Sequence, residues 1–225
     1  MTKKILLGIP TYKSICSECF AYQMGMLLDG VNSGLVKHIE MECNMYVTMA
    51  RNKMCRSAVD LWKKGEITHL LMVDDDVMIP AGGIASLAAR DFPVVGGAYY
   101  RRDLVPCVYN FDPFVFCDSI PGLGLFSADG TGGGCLLVEC ELLNRMAEEF
   151  GDEWWFNNTI ENSKSNDQGT YLGEDVFFFK RLKRMGLRVV IDCDVQCGHI
   201  GTSIADRALY EIKNGIRKFE PKQNV

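Results

Sequence analysis

The strongest constraint on the fold is a repeated alternation of short apolar, β-rich runs with segments whose apolar residues recur at helical spacing. The run Lys3 to Ile9 precedes a helical pattern that reaches Leu28, and the run Leu35 to Cys43 precedes another from Val47 to Lys64. The run His69 to Val73 then leads directly into three aspartates. Alternating elements of this length predict an α/β fold with a mainly parallel sheet and helices on both faces.

The alternation is interrupted once. Residues 99 to 131 are rich in aromatics, proline and glycine, which predicts a small hairpin-rich insertion, and the polar stretch Asn157 to Gln168 predicts a mobile loop. No linker or repeat divides the 225 residues, so one domain is expected. The other predicted elements are a helix Ile84 to Ala89, strands Pro93 to Gly97 and Cys135 to Val138, a helix ending near Glu149, a helix Val176 to Met185, a strand Arg188 to Ile191 and a final helix Ala205 to Asn214.

Composition and charge narrow the classes of function. Apolar residues make up 48% and charged residues 24% of the chain, as in ordinary globular proteins. The net charge of −5 and the lack of a long basic run give little electrostatic support for nucleic-acid binding, although DNA stays open as an acceptor. The first apolar run ends at Pro10, too early for a signal peptide, and no apolar segment approaches the roughly 20 residues of a membrane span. We therefore expect a soluble, cytoplasmic protein.

Ten cysteines are many for this length. Without a secretory signal they are expected to be reduced thiols that act mostly as small apolar side chains. One alternative is a zinc-binding interaction module in which Cys16 and Cys19 combine with Cys193 and Cys197, near His199.

The triplet Asp74, Asp75 and Asp76 is the sharpest chemical feature. It follows an apolar strand, and the carboxyl ends of parallel strands are where open α/β folds bind their ligands. Three adjacent carboxylates repel one another unless a cation compensates, and Mg²⁺ or Mn²⁺ prefers such oxygen ligands. The alternative is a solvated acidic turn before Pro80.

Several motifs together resemble a known family. The stretch from Ala50-Arg51-Asn52 through His69 to Asp76 and on to Pro80 resembles the nucleotide-sugar-binding half of GT-A-fold glycosyltransferases, which carry an Asp-x-Asp motif at a strand end. Gly8 to Tyr12 resembles their first strand and nucleotide loop, and Gly173-Glu174-Asp175 with the helix after it resembles their acceptor-side motif. The resemblance covers most of residues 3 to 201. It is closest to compact family-2-like enzymes of bacteriophages and large viruses, in which a Cys-Gly-His-Ile-Gly-like segment also ends the core.

This resemblance implies a single-domain GT-A (Rossmann-like) fold. Its nucleotide-sugar-binding half would span about residues 1 to 98 and its acceptor half about 99 to 203, with a C-terminal helix and tail in 204 to 225. A virus-encoded enzyme of this kind would work in the host cytoplasm.

The resemblance also implies a metal site. Asp76 would be the principal ligand of a Mn²⁺ or Mg²⁺ ion, and Asp74 would bind the donor ribose or sugar and contribute to the ion's surroundings. Asp75 would support one of these roles. His199 would be a further ligand, although a lone histidine is more often a hydrogen-bonded core or loop residue.

Donor contacts are implied at two further places. Pro10, Thr11 and Tyr12 would meet the nucleotide, and Arg51 would contact its phosphates, because a guanidinium matches phosphate oxygens. The alternatives are a turn with an exposed aromatic and an ordinary helix-surface arginine. Gly132 to Gly134 precede a strand, where the backbone of Gly133 and Gly134 would pass close to the donor sugar or the acceptor.

Asp175, with Glu174 beside it, is the predicted catalytic base, although acidic residues also suit the first turn of a helix. Trp154, Trp155 and Phe156 are either a sugar-stacking platform or, for at least one of them, buried packing.

The function implied is transfer of a sugar from a UDP- or GDP-sugar to a hydroxyl acceptor, which would be a glycan, a protein or a modified DNA base. Inversion at the anomeric carbon is favoured over retention. Two competing interpretations stay open, a metal-dependent nucleotidyltransferase, which would release pyrophosphate, and the zinc module.

Overall fold

A computed structural model of the protein describes residues 2–12, 17–161, 170–201 and 204–216. In chain order its strands are β1 (Ile5–Thr11), β2 (Val36–Cys43), β3 (His69–Val73), β4 (Val77–Met78), β5 (Val94–Ala98), β6 (Val108–Phe111), β7 (Phe114–Phe116), β8 (Leu125–Ala128), β9 (Gly130–Thr131), β10 (Cys135–Glu139), β11 (Thr159–Glu161), β12 (Thr170–Leu172), β13 (Val189–Gln196), β14 (Gly198–Ile200) and β15 (Ile204–Ala205). The helices are α1 (Ser17–Asn32), α2 (Val47–Lys63), α3 (Gly83–Ala89), α4 (Cys140–Phe150), α5 (Glu174–Arg184) and α6 (Arg207–Lys213).

A seven-stranded sheet forms the centre of the molecule, in the order β2-β1-β3-β10-β5-β13-β8. Strands β2, β1, β3, β5 and β13 run in one direction, and β10 and β8 run antiparallel to their neighbours. Every residue of β1, β3 and β5 is buried, which matches the continuous apolar runs of the sequence. The predicted α/β fold with a mainly parallel sheet is confirmed.

The antiparallel direction of β10 follows from the insertion that precedes it. A parallel partner for β5 needs a crossover, usually a helix, to return the chain to the opposite edge of the sheet. Residues 99 to 134 contain no helix, so the chain re-enters the sheet at the edge where β5 ended. The insertion instead forms the small sheet β7-β6-β9 and the edge strand β8, as its hairpin-rich composition predicts.

Helices cover both faces of the sheet. On one face α2, α4 and α5 bury side chains such as Met54, Leu143 and Phe178 in a shared apolar core. On the other face α1 and α3 bury Met26 and Ile84 in a second core. Both faces of the sheet are therefore covered by helices, which leaves its carboxyl edge as the place for a site.

Several predicted boundaries shift for local reasons. Strand β1 continues through Pro10, which is tolerated because β1 pairs with β3 only as far as Gly8. Helix α6 begins at Arg207, later than predicted, because the Asp206 side chain caps it by accepting a bond from the Leu209 N–H at 2.9 Å.

The predicted loop at 157 to 168 is described only at its beginning. Residues 159 to 161 of this segment form β11, which pairs with β12 on the other side of the predicted loop. Residues 162 to 169 lie outside the described ranges. No helix in the described part of the chain is both long and apolar enough to span a membrane.

Candidate active site

The first strand and the aspartate triplet meet at the carboxyl edge of the sheet. Because β1 and β3 are adjacent and parallel, Pro10, Thr11 and Tyr12 end beside Asp74 to Asp76, and together with Met45 and Val47 they line one cavity. Tyr12 is 57% exposed and stacks against Tyr46, with ring centroids 6.2 Å apart. The predicted donor residues of this edge therefore share one opening, with two exposed rings beside it.

Arg51 lies inside the protein, and the interpretation of it as a helix-surface arginine is wrong. Its side chain is 3% exposed and bridges two carboxylates, with Nη2 2.6 Å from Asp74 Oδ1 and Nη1 2.5 Å from Glu174 Oε1. Burial opposes the charge of Arg51, but the two carboxylates outweigh it and raise the pKa of the guanidinium. Arg51 thus ties the aspartate triplet after β3 to the first turn of α5.

The glycine run passes directly over this ion-pair network. A Cβ atom on Gly133 would lie 2.6 Å from Arg51 Cζ, and one on Gly134 would lie 3.0 Å from Asp74 Oδ2. The Gly134 N–H donates to the Tyr99 hydroxyl at 2.9 Å, and the Asp74 N–H donates to the Gly134 carbonyl at 3.1 Å. Glycine is required because the backbone comes this close to charged side chains.

Asn52, the neighbour of Arg51, holds a different segment. Its side-chain amide donates to the Phe156 carbonyl at 2.7 Å and accepts from the Phe156 N–H at 3.0 Å, and both residues are buried. Phe156 stacks on Phe178 of α5 with centroids 4.8 Å apart. The Ala-Arg-Asn motif therefore positions the two segments that flank the site.

Asp76 and His199 come together from distant parts of the chain. His199 Nε2 lies 3.3 Å from Asp76 Oδ2, and strand β14 pairs with β4 just after the triplet. His199 Nδ1 is 3.0 Å from the Tyr100 carbonyl, which can only accept, so Nδ1 carries a proton. Burial would lower the pKa of His199, but the bond to Asp76 raises it above its ordinary value.

These two residues fit a hard divalent cation. Two ligands at about 2.1 Å from an ion and at a right angle are about 3.0 Å apart, close to the Asp76–His199 distance. The bond from His199 Nδ1 to a backbone carbonyl is the outer contact that orients metal-binding histidines. Within the described residues no cluster of three or more His, Cys, Asp or Glu side chains is arranged to hold an ion. Asp76 and His199 are therefore two candidate ligands, and an ion between them would take its other ligands from water or a bound molecule.

Arg102 also contacts Asp76, although no sequence motif singled it out. Its Nη2 bonds Asp76 Oδ2, and its Nε donates to the Ile200 carbonyl at 3.1 Å. Burial would raise the pKa of Asp76, but His199 and then Arg102 hold it below the ordinary range. Asp76 is thus an ionised carboxylate that contacts both the Arg102 guanidinium and the His199 ring.

The other two aspartates have different surroundings. Asp74 is engaged by Arg51, while burial, and then repulsion from Asp76 and Asp74, raises the pKa of Asp75. All three side chains are half-buried, which is not the arrangement of a freely solvated acidic turn. Asp74 and Asp76 therefore each form an ion pair with an arginine, whereas Asp75 is a carboxyl group with a raised pKa.

Asp175 has the electrostatic character expected of a base. Burial raises its pKa to about 6, helped by repulsion from Glu174 and opposed by Arg51. The first turn of a helix normally favours ionised carboxylates, so burial has overcome the effect of the α5 N-terminus. A carboxyl group that titrates near pH 6 is suited to accept a proton at neutral pH.

The zinc-module interpretation is wrong for the residues that can be placed. Cys193 belongs to the core under α2 and α4, whereas Cys197 belongs to the core under α1 and α3, on the opposite face of the sheet. Cys16 lies outside the described residues, and Cys193 and Cys197 are free thiols.

The aromatic run Trp154 to Phe156 has two buried side chains and one exposed side chain, as the interpretation of buried packing predicts. Trp155 is 2% exposed and donates its ring N–H to the Leu143 carbonyl at 2.9 Å, and Phe156 is fully buried. Trp154 is 50% exposed and is the member of the run that remains accessible.

Sequence reasoning missed Tyr99, Tyr100 and Arg102, which hold Gly134, His199 and Asp76 respectively. All three directly follow β5, so they lie at the same carboxyl edge as the triplet. Their position after an apolar strand was the signal that could have found them, but their assignment to the insertion concealed it.

Comparison of the whole fold with solved structures places it in a broad class. The chain has a glycosyltransferase-like α/β fold, in which a mainly parallel sheet carries a polar site at its carboxyl edge. No family model matches the sequence, and a sequence search of curated proteins finds no match.

Two of the similar solved structures show the extent of this likeness in fold. The crystal structure of A197 from STIV superposes with a TM-score of 0.58 at 16% identity, covering 88% of this chain and 86% of that one. The catalytic domain of Drosophila β1,4-galactosyltransferase 7, in complex with xylobiose, gives a TM-score of 0.51 at 14% identity and covers 99% of this chain and 76% of that one. These likenesses establish the fold.

Proposed function

We propose that the protein is a divalent-cation-dependent glycosyltransferase that moves a sugar from a nucleoside-diphosphate sugar to a hydroxyl acceptor. The observation that carries this proposal is the approach of His199 Nε2 to Asp76 Oδ2, 3.3 Å apart, beside the cavity that Pro10 to Tyr12 line with the triplet. A cation position next to a cavity that is bordered by two exposed rings suits a charged, diphosphate-linked donor.

The donor side is assigned to about residues 1 to 98. Pro10, Thr11 and Tyr12 would line the nucleoside pocket together with Asp75. Asp74, held by Arg51, would accept hydrogen bonds from the donor ribose or sugar, and Arg51 would act by fixing Asp74. This replaces a direct contact of Arg51 with phosphate, because both ends of its guanidinium are already bound to carboxylates.

The acceptor side is assigned to about residues 99 to 203, before the C-terminal segment 204 to 225. Gly133 and Gly134 would let the backbone border the donor sugar while covering the Arg51 network. Glu174 would hold the start of α5 against that network, which sets the position of Asp175.

Asp175 would act as the catalytic base. Its ionised carboxylate would take the proton of the acceptor hydroxyl while that oxygen attacks the anomeric carbon, and the bond to the nucleoside diphosphate would break on the opposite side. This is a single displacement and inverts the anomeric configuration. A Mn²⁺ or Mg²⁺ ion at Asp76 and His199 would supply charge stabilisation for the departing diphosphate.

The finer assignments follow the sequence resemblance. We infer a family-2-like enzyme of the bacteriophage or large-virus type, with a UDP- or GDP-sugar donor and a glycan, protein or modified DNA base as acceptor. A retaining enzyme would share the cation site, and the anomeric configuration of the product separates the two.

Calorimetric titration of the protein with UDP, GDP, CDP and dTDP, with and without Mn²⁺, tests the donor site. One nucleotide should bind only with Mn²⁺, and Asp76→Asn, which removes the charge and keeps the shape, should lose that binding. Asp60→Asn, an exposed carboxylate on α2, is the control and should bind as the wild type does.

Failure of all four nucleotides to bind folded protein would reject the donor site. Release of pyrophosphate rather than nucleoside diphosphate on turnover would identify a nucleotidyltransferase instead.

A further inference from the structure

Arg102 is bound at the place where the cation is expected. Its guanidinium bonds Asp76 Oδ2, the same oxygen that faces His199 Nε2, and its Nε bonds the Ile200 carbonyl of the strand that carries His199. The positive charge of Arg102 therefore balances the carboxylate that a divalent cation would otherwise neutralise.

The surroundings of this side chain allow it to leave. The Arg102 side chain is 62% exposed and the Asp76 side chain 23%, so solvent reaches the ion pair from the arginine side. A pair that solvent can reach changes an equilibrium by only about 1.5-fold to fivefold. A divalent ion attracts the same carboxylate with twice the charge, and it also gains the His199 nitrogen and phosphate oxygens as ligands.

The neighbouring arginine shows that the contact is specific to one position. Arg101 is exposed to a similar extent, 53%, but pairs with Asp103 at 2.9 Å and lies 6.0 Å from the Phe116 ring centroid. Two adjacent arginines thus point to different partners.

We propose that Arg102 is an exchangeable counter-cation: it neutralises Asp76 in the metal-free protein, yields that carboxylate to the divalent ion, and then binds the diphosphate of the donor. The proposal rests on the proposed function, because the incoming anion is the donor's diphosphate. Once released, the guanidinium is still tethered beside the cation position, and its forked donors match phosphate oxygens. The protein would therefore take up metal and donor diphosphate as a coupled pair.

The test uses the full chain after chelator treatment, with Mn²⁺ alone and then inorganic pyrophosphate with Mn²⁺ as probes. Free Mn²⁺ is measured by electron paramagnetic resonance, and pyrophosphate binding by calorimetry. Arg102→Ala should bind Mn²⁺ alone about 1.5-fold to fivefold more tightly than the wild type, because its internal competitor is gone. The same variant should bind pyrophosphate about tenfold or more weakly in the presence of Mn²⁺.

Two further variants separate the effect of the paired N–H donors of the Arg102 guanidinium from the effect of its charge. Arg101→Ala removes an equal charge one residue away and should leave both affinities unchanged. Arg102→Lys keeps the charge without the fork, and should hold Mn²⁺ affinity near that of the wild type while giving intermediate pyrophosphate binding.

Opposite shifts in the two affinities are the signature of the exchange. If Arg102→Ala binds Mn²⁺ no more tightly than the wild type, the counter-cation role is overturned, and unchanged pyrophosphate binding overturns the diphosphate role. Nucleotide binding that needs no Mn²⁺ would overturn this exchange and leave a donor site in place. If the exchange is observed with Mn²⁺ and pyrophosphate but no nucleotide binds, the proposed function is rejected instead.

Discussion

Replacement of Arg51 by methionine tests whether the buried ion-pair network holds the site together. Methionine keeps a long apolar side chain but leaves Asp74 and Glu174 without their shared cation. The three side chains are only 3%, 28% and 19% exposed, so water can compensate only partly for the loss.

The cost can be worked from this burial. Removing one partner from a buried ion pair destabilises a protein by about 3–5 kcal/mol, because a carboxylate stays behind without compensation. For a protein of this length each kcal/mol lowers the melting temperature by about 2–4 °C, so Arg51→Met should melt about 6–20 °C below the wild type.

Urea unfolding followed by circular dichroism, with thermal melts alongside, measures this cost. Arg101→Met is the control, since its pair is exposed and should contribute within about 0.5 kcal/mol. Adding Asp74→Asn and Glu174→Gln to Arg51→Met removes the stranded charges and should recover most of the loss. A cost below about 1 kcal/mol for Arg51→Met alone would refute the interpretation of this network as a buried clamp.

Three other predictions concern the base and the close contacts of the site. Asp175→Asn should lower turnover about 10²- to 10⁴-fold with nucleotide affinity unchanged, and wild-type turnover should rise as pH passes through the pKa of about 6. The folded protein binds this proton more tightly than the unfolded chain does. The wild type should therefore lose stability relative to Asp175→Asn as pH rises from about 4 to 6. A difference in unfolding free energy between the two proteins that does not change with pH would contradict this. Asn52→Ala should cost about 2 kcal/mol or more in urea unfolding, since it strands two buried backbone groups of Phe156, and a smaller change would show that water replaces the amide. Gly133→Ala should lower the free energy of unfolding by about 1–3 kcal/mol, because its Cβ meets a fixed guanidinium. Gly25→Ala in α1, where nothing lies within 4 Å, should be neutral or stabilising. Equal effects at both positions would contradict the steric argument.

The sequence by itself determined the layered α/β architecture and the location of the triplet. The spacing of apolar residues and the length of each run distinguish strands from helices. An apolar run that is followed by carboxylates is expected to be buried, with the charged groups at its end. These are local properties, so the place of Asp74 to Asp76 after β3 could be predicted from their own segment.

Contacts between distant segments were decided only by the tertiary structure. Arg51 was predicted to contact the donor phosphates, with an ordinary helix-surface arginine as the alternative. Its burial against Asp74 and Glu174 depends on those two carboxylates arriving from other elements. Cys193 lies in β13 and Cys197 directly follows that strand, and their even spacing would place both on one face of a regular strand. A register shift between Asp192 and Gln196 sends them to opposite cores.

The surroundings of Asp76 show the same limit. His199 could be proposed because its motif is local, but Arg102 reaches Asp76 only because β3 and β5 run in the same direction and end at the same edge of the sheet. Sequence pattern fixes which residues can form a strand or bear a charge. Which charges meet depends on the order and direction of the strands, and those follow from packing of the whole chain.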